Sequence, residues 1–370
     1  MSDYKISKMQ LTNFRNLGGE TISFSKGINC ILGENGNGKT NLLEAIYFLI
    51  NRKSFRKNAA FPQILSIDGE NQEIYFSSTI ENVNEDVVHS VSGKWNKDGG
   101  SWYIDGRPSK RKMPIGSILI NPFDSFNFHS KPQFRRKLID QLAGDLSKEF
   151  KKVLNRYQKS LIFRNGLLSK KPSKYLEQIK IISVELAEVS AQLTRMRLEF
   201  LNKLNEKVGE TFKNIFSESH IMSLELETKC GGWKKEDFIN KWEQDLQKDL
   251  ILGFTKSGVH KDDFHFYMDG FNSFDYCSLG QQKMSFLSLI FSYVELFNEG
   301  VGHYPVLLID DVSGELDKER WRKLVSFLER RSFQIFITTA NEEFRRELAR
   351  IPLAQKFHIK SGHISNETFI

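Results

Sequence analysis

Gly33-Glu34-Asn35-Gly36-Asn37-Gly38-Lys39-Thr40 is the stretch on which the reading of this chain turns. It has the form G-x-x-x-x-G-K-[ST], and its flanks matter as much as its letters. Ile28 to Leu32 before it is a short apolar run of strand type. After it, Leu42, Leu43, Ile46, Tyr47 and Ile50 fall on one helical face. Strand, glycine-rich loop and helix, in that order, make a phosphate-binding P-loop. The glycines let backbone N–H groups point into a concave nest for phosphate oxygens, and the helix N-terminus adds its dipole. Lys39 is then expected at the β- and γ-phosphates of a nucleotide, with the Thr40 hydroxyl on Mg²⁺. The other loop residues, from Gly33 to Gly38, form the cradle.

Two further motifs carry chemistry. Val306-Leu307-Leu308-Ile309-Asp310-Asp311 reads as a buried strand that delivers two acids at its C-terminal end. Asp310 is placed to hold Mg²⁺ and Asp311 to polarise the attacking water. Ser278-Leu279-Gly280-Gln281-Gln282-Lys283 opens a strongly apolar helix. A Ser and a Gly at a helix start offer a hydroxyl and bare N–H groups to an anion, although alone they make a plain N-cap. The order of these motifs resembles that of the ATP-binding cassette superfamily, and Ser313-Gly314-Glu315-Leu316-Asp317 resembles its D-loop. That resemblance implies ATP and Mg²⁺ as cofactors. It also implies that Ser278, Gly280 and Gln281 act on the γ-phosphate held by a second subunit, while Lys39 and Asp311 act on the subunit's own.

The remainder sorts by pattern. Residues 4 to 32 read as three strands and 73 to 120 as a β-meander with Asp105-Gly106 as a turn. From about Pro132 to Phe216 glycine is scarce. Leu186, Val189, Leu193, Met196, Phe200, Leu204, Val208 and Phe212 make the stripe of a long amphipathic helix. Pro172 separates it from an earlier helical stretch, and an antiparallel pair is the simplest reading. Strands return after about residue 250, at His265 to Met268, Pro305 to Ile309 and Phe333 to Thr338. The expected fold is α/β: an ATPase head of mixed sheet and helices from 1–130 and 250–370, with a mainly helical lobe, 131–249, inserted.

The 370 residues carry a formal net charge of +7, which favours a polyanionic partner. Such a partner is either nucleic acid or an acidic membrane face, and Lys131, Arg135, Arg136 and Lys137 form one candidate surface for it, a solvated helix face being the other reading. Cys30, Cys230 and Cys277 are scattered, with no CxxC, so neither a zinc site nor a disulfide framework is indicated. No apolar run reaches membrane-spanning length and the N-terminus lacks a signal-peptide core, so a cytoplasmic protein without a membrane partner is expected.

A closer resemblance runs along the chain. Leu11-Thr12-Asn13-Phe14-Arg15-Asn16, the extended loop from Gly36 to Ala45, Ser54-Phe55-Arg56, and Pro122, Asp124 and Arg135-Arg136 are similar to segments of the RecF family of bacterial replication and repair proteins. So are Val259-His260-Lys261-Asp262-Asp263, Ser278 to Lys283, and Asp310-Asp311 with Glu315-Leu316-Asp317. Val259 stands where that family usually has Pro, Lys261 where it has Arg, and Asn37 where Gln is common. Lys261 cannot form a planar bidentate contact. The resemblance implies an SMC- or Rad50-like head without a long coiled coil, weak ATPase activity used as a switch, and an ATP-dependent homodimer. It further implies binding to single-stranded, double-stranded and gapped DNA. Work with RecR and RecO to load RecA follows, in settings of DNA damage and the SOS response. The alternatives are a transporter ATPase subunit, which usually has a His where Thr338-Thr339-Ala340 stands, or another SMC- or Rad50-like head.

Overall fold

The computed structural model describes residues 3–56, 59, 61–66, 72–216, 219–311 and 318–366. The chain begins with β1 (Tyr4–Thr12), β2 (Ile22–Ser23), β3 (Ile28–Leu32), α1 (Lys39–Asn51) and α2 (Phe61–Ile64). A run of strands follows: β4 (Ile74–Asn82), β5 (Val87–Asn96), β6 (Gly99–Ile104), β7 (Arg107–Pro108) and β8 (Ser117–Ile120). Helices then dominate, with α3 (Asp124–Ser130), α4 (Pro132–Leu146), α5 (Lys148–Lys170), α6 (Tyr175–Ile215), β9 (Met222–Glu227), α7 (Lys235–Gln244) and α8 (Leu246–Leu252). A 3-10 turn, Val259–Lys261, leads into β10 (Asp263–Met268), β11 (Phe271–Asn272), α9 (Ser273–Tyr276) and α10 (Leu279–Val301). The last elements are β12 (Val306–Asp310), α11 (Lys318–Glu329), β13 (Ile335–Thr339), α12 (Glu342–Ala349), β14 (Gln355–Lys360) and β15 (His363–Asn366).

The chain divides into two compact units, Met1–Asp124 with Phe297–Ile370, and Ser125–Leu296. Residues 250–296 therefore cluster with the helical lobe rather than with the ATPase head to which their strand-like character assigns them. The reason is pairing. β10 lies antiparallel to β9, from Asp263 opposite Glu227 to Met268 opposite Met222.

In the first unit, β15-β14-β3-β13-β12-β8 form one sheet, parallel except for the edge strand β15. Strands β3, β12 and β13 are buried at every position, as continuous apolar runs in a parallel sheet should be. A second sheet, β2-β1-β4-β5-β6-β7, is antiparallel and alternates along β4. Helix α1 contributes to one core with both sheets. That explains why Leu42, Leu43, Ala45, Ile46, Phe48, Leu49 and Ile50 are all buried, on every face of the helix. Phe48 stacks on Trp95 and meets Phe76 edge-on.

In the second unit, α5 and α6 pair across the short link that contains Pro172. Buried ions tie this pair to its neighbours α4 and α8 and to the segment before β10. Arg164 donates to Asp249, Thr255 and Ser183, and Arg197 forks onto Asp140 and reaches Asp262.

Candidate functional site

The P-loop leaves β3 with a turn that only glycine fits. Gly33 has φ 152°, and a Cβ there would stand 2.5 Å from the Ile359 carbonyl oxygen. Gly38 has φ 111° and precedes α1 without any side-chain cap. The first N–H groups of α1 are thus left for an anion. Lys39 folds back over the loop: its Nζ donates to the carbonyls of Gly33 and Glu34, both at 2.9 Å. Burial pushes its pKa down, and Asp311 and Asp310 oppose that. Asn37 is braced by the turn between β14 and β15, accepting from Gly362 N on its carbonyl and from Ser361 N on Oδ1.

The sheet order β3-β13-β12 brings the loop and the acids together at the C-terminal ends of parallel strands. Thr40 Oγ1 donates to the Asp310 carboxylate, 3.0 Å from Oδ2 and 3.1 Å from Oδ1. Thr338 Oγ1 donates to Asp310 at 2.7 Å and accepts from Asp311 N at 3.0 Å. Burial raises the Asp310 pKa, against the hydrogen bonds from Thr338 and Thr40. Thr338 joins the site with no signal in the sequence, because a hydroxyl at a strand end has no motif of its own. Thr40 and Asp310 are hard oxygen donors already in contact. They fit Mg²⁺, which takes one or two protein ligands and completes its shell with phosphate and water. Among the described residues no group of three His, Cys, Asp or Glu could hold a metal by itself.

Behind the loop, two of the sequence segments converge on one buried carboxylate. Arg15 of the Asn-Phe-Arg-Asn run donates to Glu44 through Nε (3.0 Å) and Nη2 (2.8 Å). Ser54 donates to the same group, and Arg56 stands 3.4 Å from it. Arg56 also donates to Asn41, and Asn41 to Asn16. These contacts fix the rotation of α1 just past Thr40.

The Ser-x-Gly-Gln motif lies in the second unit, at the start of α10. Ser278 is exposed, and Gly280 and Gln281 are half-buried. Ser278 N donates to Gln281 Oε1 at 2.9 Å, while Gln281 N donates to Ser278 Oγ at 3.3 Å. This is a reciprocal capping box, and it leaves the serine O–H free to donate outward. Residues 313–317, read as a D-loop, lie outside the described residues.

The candidate surface at Lys131, Arg135, Arg136 and Lys137 loses Arg135, while Lys131 and Lys137 stay exposed and Arg136 is half-buried. Arg135 is 4% exposed and donates to both Asp263 oxygens at 2.7 Å and to the carbonyls of Phe128 and His129. Arg136 donates to the Asp262 carbonyl. Asp262 in turn is held by Arg197 and Thr228. The Val259–Asp263 segment and the arginine pair are thus one internal tie within this unit.

The chain matches the family model described as "RecF/RecN/SMC N terminal domain" over residues 5–358. It is 29% identical to the DNA replication and repair protein RecF of Lactobacillus acidophilus, covering 98% of this chain and 99% of that protein. It is 31% identical to that of Halalkalibacterium halodurans, with 91% and 92% covered. Two solved structures of the recombination mediator protein RecF in the RecFOR pathway are similar along their length. The one with ATPrS has a TM-score of 0.82 at 26% identity, covering 99% of both chains. The one with ATP has 0.81 at 26%, covering 99% of this chain and 98% of that one. With similarity that runs from end to end, and with the family's loop, acidic pair and signature in their expected order, the chain belongs to the RecF family.

Proposed function

We propose that this chain is an ATP-dependent DNA-binding protein of replication and recombinational repair. It dimerises on DNA with ATP bound, hydrolyses the ATP slowly and then lets go. The observation that carries the reading is the Thr40–Asp310 contact at the mouth of the Lys39 loop, where triphosphate-binding and metal-binding groups already touch. The names of its relatives, RecF proteins of replication and repair, and a RecF solved with ATP support it.

In this reading the Gly33 to Gly38 amides and the open end of α1 receive the phosphates. Lys39 leaves its two carbonyls for the β- and γ-phosphate oxygens. Thr40 and Asp310 would hold Mg²⁺, which would supply positive charge against the phosphates. Asp311, its backbone held by Thr338, orients and polarises the attacking water. Ser278, Gly280 and Gln281 serve the γ-phosphate held by a second copy. RecR and RecO are its partners by family, gapped DNA its substrate and the cytoplasm its setting.

The test is light scattering and ATPase assay with ATP, ADP or no nucleotide, each with and without DNA. Dimer is expected with ATP alone, with hydrolysis that DNA stimulates. DNA affinity should fall steeply with salt as counterions are released. A monomer under every condition, or DNA binding indifferent to ATP, sinks the proposal.

A further inference from the structure

We propose that Gln282 is a positioning residue for the Ser-x-Gly-Gln motif, holding Ser278 in the orientation that meets the γ-phosphate of a second copy. The inference rests on the ATP-sandwiched dimer proposed above and concerns the second glutamine of the Ser278 to Lys283 stretch, to which the motif assigns no contact with phosphate.

The argument begins with α9. It is a single turn, Ser273–Tyr276, so its last carbonyls have no partner further along a helix. Its outward side chains give it little grip: Phe274 is 52% exposed and Tyr276 71%. Cys277 alone separates it from Ser278. Gln282 sits one turn into α10 and is buried, at 7% exposure. Its Nε2 lies 3.2 Å from Ser273 O, 3.2 Å from Phe274 O and 3.3 Å from Cys277 O. Two amide hydrogens are therefore shared among three carbonyls. Its own backbone N–H donates to Ser278 O at 2.9 Å. One side chain thus fastens α9 and the linker to the helix whose first residues form the motif. The Ser278–Gln281 capping box sets the local conformation of the serine. Gln282 sets the path by which the chain arrives there.

Gln282→Met keeps the length and burial of the side chain and removes both donors. The carbonyls of Phe274 and Cys277 then lose their partner, and the turn must shift to find water. Monomer affinity for ATP should stay within about twofold of the parent, because the loop from Gly33 to Thr40 is untouched. The ATP concentration for half-maximal dimerisation should rise, and hydrolysis fall, by about tenfold or more, the scale of one lost buried hydrogen bond. Gln282→Asn keeps the amide but withdraws it by one methylene, and should give a milder form of the same defect.

A mixing experiment reads what a merely structural role would not move. Gln282→Met retains its own Lys39 and Asp311; Asp311→Asn retains its own motif. A mixed dimer therefore contains one complete site. Hydrolysis should reappear when the two inactive proteins are combined. Ser278→Ala, which removes the hydroxyl without blocking approach, mixed with Asp311→Asn is the control for the sandwich itself. If that control regains hydrolysis and Gln282→Met behaves as the parent, Gln282 has no positioning role and the dimer reading stands. If the control gains nothing, the dimer reading fails first. If Gln282→Met and Gln282→Asn both lose cooperative melting and monomer ATP binding, the residue is structural only and the inference is overturned.

Discussion

Asp310 shows how a binding site can work against the fold that carries it. Burial raises its pKa, so the fold favours the neutral acid over the carboxylate. A raised folded-state pKa contributes stability below the unfolded value of roughly 3.9, and that contribution is lost as pH rises through the folded value. At neutral pH the charged form is therefore a cost of the nucleotide-free protein, relieved when a cation arrives. Asp310→Asn should then melt no lower than the parent at pH 8, with any advantage shrinking as pH falls. Its melting temperature should no longer rise with Mg-ATP. A parent-like shift with Mg-ATP would remove Asp310 from the metal site. Lys39 makes the complementary case. Lys39→Ala loses the charged partner of the phosphates, a contact worth roughly 1.5–3 kcal/mol, or about one to two orders of magnitude in affinity. Titration with ATP measures this directly, and an unchanged affinity would unseat the loop assignment.

Among elements, Arg135 separates a scaffold from a surface. Its side chain is 5% exposed and that of Asp263 15%. Burial works to raise the Asp263 pKa, yet hydrogen bonds from Arg135 and His265 hold it well below the usual range. Such a depressed carboxylate stabilises the fold above its unfolded pKa and loses that contribution only in acid. Arg135→Ala should therefore destabilise the chain at neutral pH by about 1.5–3 kcal/mol, the scale of a lost charged hydrogen-bonded contact, since His265 and the Phe264 amide still hold Asp263. Denaturant unfolding checks this, and a loss below about 1 kcal/mol, as for a surface pair, would contradict it. The same residue shows where sequence stops informing. The strands β3 and β12 are legible as apolar runs bounded by Gly, Pro and Asp, and β13 as a β-branched and aromatic apolar run. The stripe of α6 is legible by its period. Nothing in Lys131 to Lys137 says that Arg135 turns inward onto an acid 128 positions away. Likewise, β9 is a modest run with no turn signal joining it to β10, so its pairing stays hidden and the domain boundary drawn at 250 shifts. Thr338 and the side chain of Gln282 are silent in sequence for the same cause: their partners are supplied by the fold, not by the neighbouring letters.

For the whole molecule, the decisive prediction concerns association. Ser278 is about 240 positions from the loop in sequence, belongs to the other compact unit and is exposed at a helix start. If it serves only as a cap of α10, Ser278→Arg removes an acceptor for Gln281 N, costs about 1 kcal/mol and lowers the melting temperature modestly. ATP binding and ATP-driven association would then survive. If it meets the γ-phosphate of a second copy, the consequence is different in kind. A long cationic side chain at that exposed point blocks the close approach of the helix start to the triphosphate. The monomer should still bind ATP with parental affinity, since Lys39, Thr40 and Asp310 are unaltered. The dimer should be absent by light scattering at ATP concentrations that saturate the monomer, and hydrolysis should fall with it. DNA binding should lose its ATP dependence while keeping whatever salt-sensitive contact the monomer makes, because phosphate contacts and association are then separate events. Normal dimerisation and turnover in Ser278→Arg would mean that the two heads do not share their nucleotides.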